Sequence, residues 1–187
     1  MKSYLSIDLD YWCNHKTAQS ATRFFNRVFS LGKPITIVAE HDDLLPDVNR
    51  MKGDILYNFD SHEDYCVPNA KAGRPCDGDW VSWVKWRHNA RYVWAYPATS
   101  TWQYSYKNVW SRHDWREIRG MCGGYSQIQW HAVKRVGVCI SPLYTTLRTV
   151  KPVLERMGLY DEARALFAKT RYHYRRHGVL KRLPGRT

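Results

Sequence analysis

Ile55-Leu56-Tyr57-Asn58-Phe59-Asp60-Ser61-His62-Glu63-Asp64 is the stretch on which the reading of this chain turns. Five apolar or aromatic-rich residues predict a buried strand. The next five put three metal-ligand side chains at its carboxyl end in the spacing Asp-x-His-x-Asp. Period-two alternation would aim Asp60, His62 and Asp64 to one side and Glu63 to the other. A mixed set of carboxylate oxygens and imidazole nitrogens suits Mn²⁺, Zn²⁺ or Fe²⁺ better than Ca²⁺, which prefers oxygen alone. A solvated acidic turn is the alternative for this motif taken singly.

Two further segments repeat the design. Tyr4-Leu5-Ser6-Ile7-Asp8-Leu9-Asp10 delivers Asp-x-Asp from a strand expected over residues 3–10. Ile35-Thr36-Ile37-Val38-Ala39-Glu40-His41-Asp42-Asp43 is a β-branched run that ends among acids and a histidine. In an open α/β sheet, sites form beyond the carboxyl ends of parallel strands, so three such endings converge if the strands are neighbours.

The intervening residues support that sheet. Ala18, Ala21, Phe24, Phe25, Val28 and Phe29 recur at helical spacing over Thr17 to Leu31, and Gly32 is placed to stop the helix. A short helix fits Asp42 to Met51, with Pro46 confined to its first turn. The pattern β-α-β-α-β has a parallel sheet with right-handed crossovers as its default. Further on, Asp79 to Trp86 has ambiguous periodicity, and Arg91 to Tyr96 is strand-like. Two more strands are expected at 126–133 and 136–141, then helices at Thr146 to Met157 and Asp161 to Ala168. The aromatic, polar stretch 99–125 has no periodicity that places it. The expected architecture is a compact three-layer α/β/α domain over residues 1–168, followed by a basic tail at 169–187.

At 187 residues one domain is expected, long enough for a sizeable core. No run of about 18 apolar residues is present, so no membrane association is expected. Asp8 and Asp10 interrupt any signal-peptide core, which points to the cytoplasm. Cys13, Cys66, Cys76, Cys122 and Cys139 contain no Cys-x-x-Cys pair and predict neither a zinc ribbon nor a disulfide framework.

The formal net charge is +12, and Lys169 to Thr187 holds seven Lys or Arg residues with no acid. Arg171-Tyr172-His173-Tyr174-Arg175-Arg176 interleaves basic and aromatic groups. Such a segment suits nucleic acid or another polyanion, and equally a solvated tail.

The motifs carry a family resemblance. Asp60-Ser61-His62-Glu63-Asp64 resembles the Asp-Ala-His-x-Asp signature of the arginase and histone deacetylase superfamily, and Ser6-Ile7-Asp8-Leu9-Asp10 resembles its Ser-x-Asp-x-Asp signature. Glu40-His41-Asp42 is similar to the segment that supplies the remaining histidine. Gly78-Asp79-Trp80-Val81-Ser82-Trp83 and Ile140-Ser141-Pro142-Leu143-Tyr144-Thr145 are similar to segments of a less characterised arginase-like branch. The order differs, because the Asp-x-Asp segment comes first here and last in the family.

The resemblance implies a hydrolase that uses a metal-activated water on a non-peptide C–N bond in an acylated or guanidino small molecule. It implies two ions, Mn²⁺ first and Zn²⁺ or Fe²⁺ as substitutes. One would be held by Asp8, His41, Asp60 and Asp64, the other by Asp10 and His62, with Asp8 and Asp60 bridging. Asp79 and His131 are candidate proton shuttles, each with a structural alternative as helix cap or strand histidine. The chain is shorter than an arginase, so substrate loops could come from a second copy in a homo-oligomer. A two-metal nuclease or phosphoesterase and a non-catalytic nucleic-acid-binding protein are the competing functions.

Overall fold

The computed structural model describes residues 1–11, 18–60, 62, 64, 73–76, 78–88, 90–95 and 128–176. Cys13, Glu63, Cys66, the stretch 99–125 with Cys122, and residues 177–187 of the expected tail lie outside them. The strands are β1 (Ser3–Asp8), β2 (Ile35–Val38), β3 (Ile55–Phe59), β4 (Arg91–Ala95) and β5 (Val133–Cys139). They form one sheet in the order β2-β5-β1-β3-β4, with every neighbouring pair parallel.

Helix α1 (Ala18–Ser30) joins β1 to β2, and α2 (Leu45–Met51) joins β2 to β3. Helices α3 (Leu147–Arg156) and α4 (Tyr160–Arg176) follow β5. The expected β-α-β-α-β opening is therefore present, and the fold is α/β.

Strand alternation sorts the core into two layers. Leu5, Ile7, Tyr57, Phe59, Val136 and Val138 face α1, α3 and α4 and pack on Phe24, Phe25, Val28, Val150, Leu154 and Phe167. Tyr4, Leu56, Tyr92 and Trp94 face the opposite way and pack on Leu44, Val48, Trp80 and Val81. The sheet is covered on both sides, as parallel sheets are, which gives three layers. The second face carries the site: continuing each strand, Asp8 follows Tyr4 and Ser6, and Asp60 follows Leu56 and Asn58.

Several boundaries differ from the sequence reading. One strand, Val133–Cys139, replaces the two expected at 126–133 and 136–141. The gap expected between them falls at Lys134-Arg135. Instead the register steps from Ser3↔Val133 to Tyr4↔Arg135, so a bulge absorbs the exposed Lys134 and the strand continues. The strand expected over 3–10 ends at Asp8, and residues 9–11 are helical. Asp79 to Trp86 yields a 3₁₀ turn at Trp80–Trp83. Pro46 sits in the first turn of α2, where its missing N–H has no intrahelical role. Helix α4 runs on to Arg176, so 169–176 belongs to a helix and the expected boundary at Ala168 falls inside it.

Candidate metal centre

Six side chains expected as ligands meet at the carboxyl ends of β1, β2 and β3. The register that pairs Ile7 with Phe59 sets Asp8 and Asp60 one residue further on adjacent strands. The 3₁₀ turn His41–Leu44, which opens directly after β2, folds His41 over them. Leu44, wholly buried, anchors that turn against the sheet. Asp8, Asp10, His41, Asp60 and Asp64 are all buried, and His62 is the outermost, its side chain 32% exposed.

Asp60 is the hinge of the arrangement. Its Oδ2 lies 2.8 Å from His41 Nδ1 and its Oδ1 lies 3.5 Å from His62 Nδ1. Neighbouring backbone and side chains fix it: Asp60 N–H donates to the Ala95 carbonyl, the Trp94 indole donates to the Asp60 carbonyl at 3.1 Å, and His62 N–H donates to Oδ1 at 2.9 Å. Two groups of ligand atoms result, Asp8–His41–Asp60 and Asp10–Asp60–His62, each with its atoms within 4.8 Å of one another. They share Asp60.

Asp8 receives the Asp10 N–H on Oδ1 at 2.8 Å and the Ser141 hydroxyl on Oδ2. The first of these bonds turns the chain helical at 9–11. Asp10 thereby reaches within 3.9 Å of His62 Nδ1 through a turn, not by strand alternation. Asp64 lies 3.0 Å from His41 Nδ1 but belongs to neither group. It accepts from the Trp80 indole at 2.7 Å and from Asn58 at 3.4 Å, and its backbone sits at φ 52, a region non-glycine residues seldom occupy.

The imidazoles are oriented for coordination. His41 Nε2 lies 2.6 Å from the Ser6 hydroxyl, and the His41 ring packs on Trp80 with centroids 4.9 Å apart. A hydrogen bond at Nε2 leaves Nδ1 as the nitrogen that faces the carboxylates, the outer-shell device that fixes the tautomer of a metal-bound histidine.

Protons mark the same strain. Burial, then the neighbouring Asp10 and Asp60, push the Asp8 carboxyl well above the carboxylate range, and burial with Asp60 does the same to Asp64. Burial would also raise Asp60, but hydrogen bonds from His41 and His62 outweigh it and hold Asp60 far below that range. His62 is pushed up to about 9, chiefly by its bond to Asp60. For His41, burial favours the neutral ring, yet hydrogen bonds to Asp60 and Asp64 raise it well above its ordinary value. Four buried carboxylates stay together here only by holding protons or cations. A dication that displaces those protons would relieve the repulsion, so the nitrogen and oxygen donor set fits a divalent metal.

Of the two candidate shuttles, His131 is remote from the site and Asp79 is beside it. His131 lies in a 3₁₀ turn (Trp130–Ala132) at the amino end of β5, the opposite edge of the sheet from Cys139 and Ser141. β5 itself separates them by about 20 Å at the rise of a strand, which removes His131 as a proton shuttle. Asp79 is buried and accepts the Cys76 N–H at 2.8 Å, closing the turn that leads into Trp80–Trp83. That contact closes the turn directly before Trp80, whose indole donates to Asp64 and whose ring packs on His41. Ser6, Asn58, Trp80 and Ser141 are the site residues that ligand-type reasoning passed over. Ser6 was within reach of it, two residues before Asp8 and on the same strand face.

Comparison with known proteins finds no matching family model, curated protein or solved structure.

Proposed function

We propose that the protein is a metal-dependent hydrolase of arginase/deacetylase-like type, cleaving a non-peptide C–N bond in an amide- or guanidino-containing small molecule. The observation that carries this reading is the pair of ligand groups joined by Asp60. Positions 8, 10, 41, 60, 62 and 64, picked out by their likeness to that superfamily's motifs, come from three separate segments and meet at one sheet edge. The permuted order of the motifs does not prevent it, because coordination depends on position in space and not on order in the chain.

Two dications, Mn²⁺ first among Mn²⁺, Zn²⁺ and Fe²⁺, would supply Lewis acidity and water activation near neutral pH. The chain's own residues do the rest. Asp8, His41 and Asp60 would hold the inner ion, and Asp10, Asp60 and His62 the outer one. Ser6 orients His41, Ser141 and the Asp10 N–H orient Asp8, and Trp80 keeps Asp64 beside His41. The substrate reaches the His62 side, which is the exposed one. A cytoplasmic setting goes with this reading. No helix among the described residues is long and apolar enough to cross a membrane.

A two-metal phosphoesterase or nuclease is the second reading, favoured by the net charge of +12. Both are tested on protein dialysed against chelator and reloaded with Mn²⁺ or Zn²⁺. Two equivalents of metal are expected in the wild type and none in Asp60→Ala, with binding stronger at pH 8 than at pH 6, since protons compete for the ligand atoms. Absence of metal after reloading would overturn both readings. Turnover of acylated or guanidino compounds, against turnover of phosphodiesters, separates them.

A further inference from the structure

Among the described residues, the exposed large hydrophobic side chains are Met1 and Tyr144. Tyr144 is 48% exposed, and its ring stands beside His62 with centroids 5.7 Å apart and planes tilted by 48°. An apolar ring left in water at the mouth of a buried polar site forgoes part of the stabilisation that burial would bring.

The turn that presents the ring is built rigidly. Tyr144 N–H and Thr145 N–H both donate to the Ser141 carbonyl at 2.9 Å. The Thr145 hydroxyl donates to the carbonyls of Ile140 and Ser141, and Thr146 caps α3 through a reciprocal bond with Thr149. Ser141 itself sits at φ 43, a left-handed conformation that strains a non-glycine residue and persists only where its surroundings hold it. Its hydroxyl donates to Asp8, and its backbone N–H donates to the Ala39 carbonyl, two residues before His41. One turn therefore grips an inner ligand with Ser141 and stands an aromatic face beside the outer ligand with Tyr144.

We propose that Tyr144 is the substrate-positioning wall of the metal centre, its ring face stacking on a flat, π-bearing substituent next to the group held at the outer position. Ser141 sets the register of that wall to Asp8. This rests on the metal-centre reading above and adds a substrate class to it: small molecules whose reacting carbonyl or guanidino carbon is attached to a planar group, not to a compact aliphatic one.

The test uses metal-chelating probes whose tails differ only in shape. Acetohydroxamate, cyclohexanecarbohydroxamate and benzohydroxamate are titrated calorimetrically into the Mn²⁺-loaded full chain, wild type, Tyr144→Phe and Tyr144→Ala. Benzohydroxamate should bind wild type and Tyr144→Phe about ten-fold more tightly than acetohydroxamate, the ratio an aromatic contact of ordinary strength gives, with the cyclohexyl probe well behind. In Tyr144→Ala the three affinities should converge while bound Mn²⁺ stays at the wild-type amount. An unchanged phenyl preference in Tyr144→Ala, or a cyclohexyl probe that binds wild type as well as the phenyl one, would overturn the proposal. Failure of wild type to take up Mn²⁺ would instead overturn the metal centre itself, and metal content reports that separately.

Discussion

Ser141 and His62 put the two halves of the centre under different control. The Ser141 hydroxyl bonds Asp8 inside the protein, where outer-shell partners of ligands are worth about 10–100-fold in metal affinity. Ser141→Ala should therefore weaken Mn²⁺ binding by about that factor while leaving the far-ultraviolet circular dichroism as it was. Identical dissociation constants for the two proteins would show that Asp8 needs no such anchor. His62 belongs only to the outer group, whereas the inner group is completed by Asp8, His41 and Asp60. His62→Ala is expected to retain one equivalent of metal and lose the other, as read by elemental analysis after gel filtration. Loss of both would contradict a centre in which the inner position stands by itself. At this scale the clustering of ligand-type side chains was legible because each Asp and His stands at the end of an apolar strand. The orienting residues Trp80 and Ser141 were not, since indole and hydroxyl side chains serve in many places and only proximity gives them this role.

Among the elements, the contact between β5 and the His41–Leu44 turn is the least forgiving. A Cβ at Gly137 would lie 2.7 Å from both methyls of Leu44 and from the Tyr4 hydroxyl. Leu44 is fully buried and Tyr4 is tied to Asp47 at 3.0 Å, so neither side chain has free space to move into. Gly137→Ala should cost about 1–3 kcal/mol in urea unfolding, the usual range for overpacking. Because Leu44 anchors the turn that carries His41, the same substitution should also weaken Mn²⁺ binding. A stable Gly137→Ala protein with unaltered metal affinity would disconnect the packing from the site. In the sequence the glycine falls inside an expected strand with no local reason for it. Its reason is a tertiary one: the close approach of a turn more than ninety residues away in the chain. The continuity of β5 through 134–135 has a related reason, since a bulge that tolerates one exposed lysine depends on the partner strand.

For the whole molecule, the sheet order β2-β5-β1-β3-β4 places the last strand between the first two. A partly buried network joins these strands to α2. Tyr4 on β1 and Thr36 on β2 donate to Asp47 of α2 at 3.0 and 3.1 Å, and Arg135 on β5 pairs with the same carboxylate at 2.7 Å. Burial, and then Asp47, raise the Tyr4 phenol well above its ordinary value of 10.0. The folded state therefore keeps a proton that the unfolded chain releases. The resulting stability is fully present below pH 10 and is lost as pH climbs beyond it. Urea unfolding followed from pH 9 to 11 should fall off more steeply for wild type than for Tyr4→Phe, and parallel curves would place the alkaline sensitivity elsewhere. The sequence by itself determined the first four strands, the first two crossover helices and the six ligand-type side chains, because local periodicity and residue chemistry are written along the chain. Tertiary structure alone decided that β5 lies between β1 and β2, that His131 stands at the wrong edge, and that Asp60 joins two groups of ligands. Those facts depend on pairing and register between distant segments, and no local pattern encodes them.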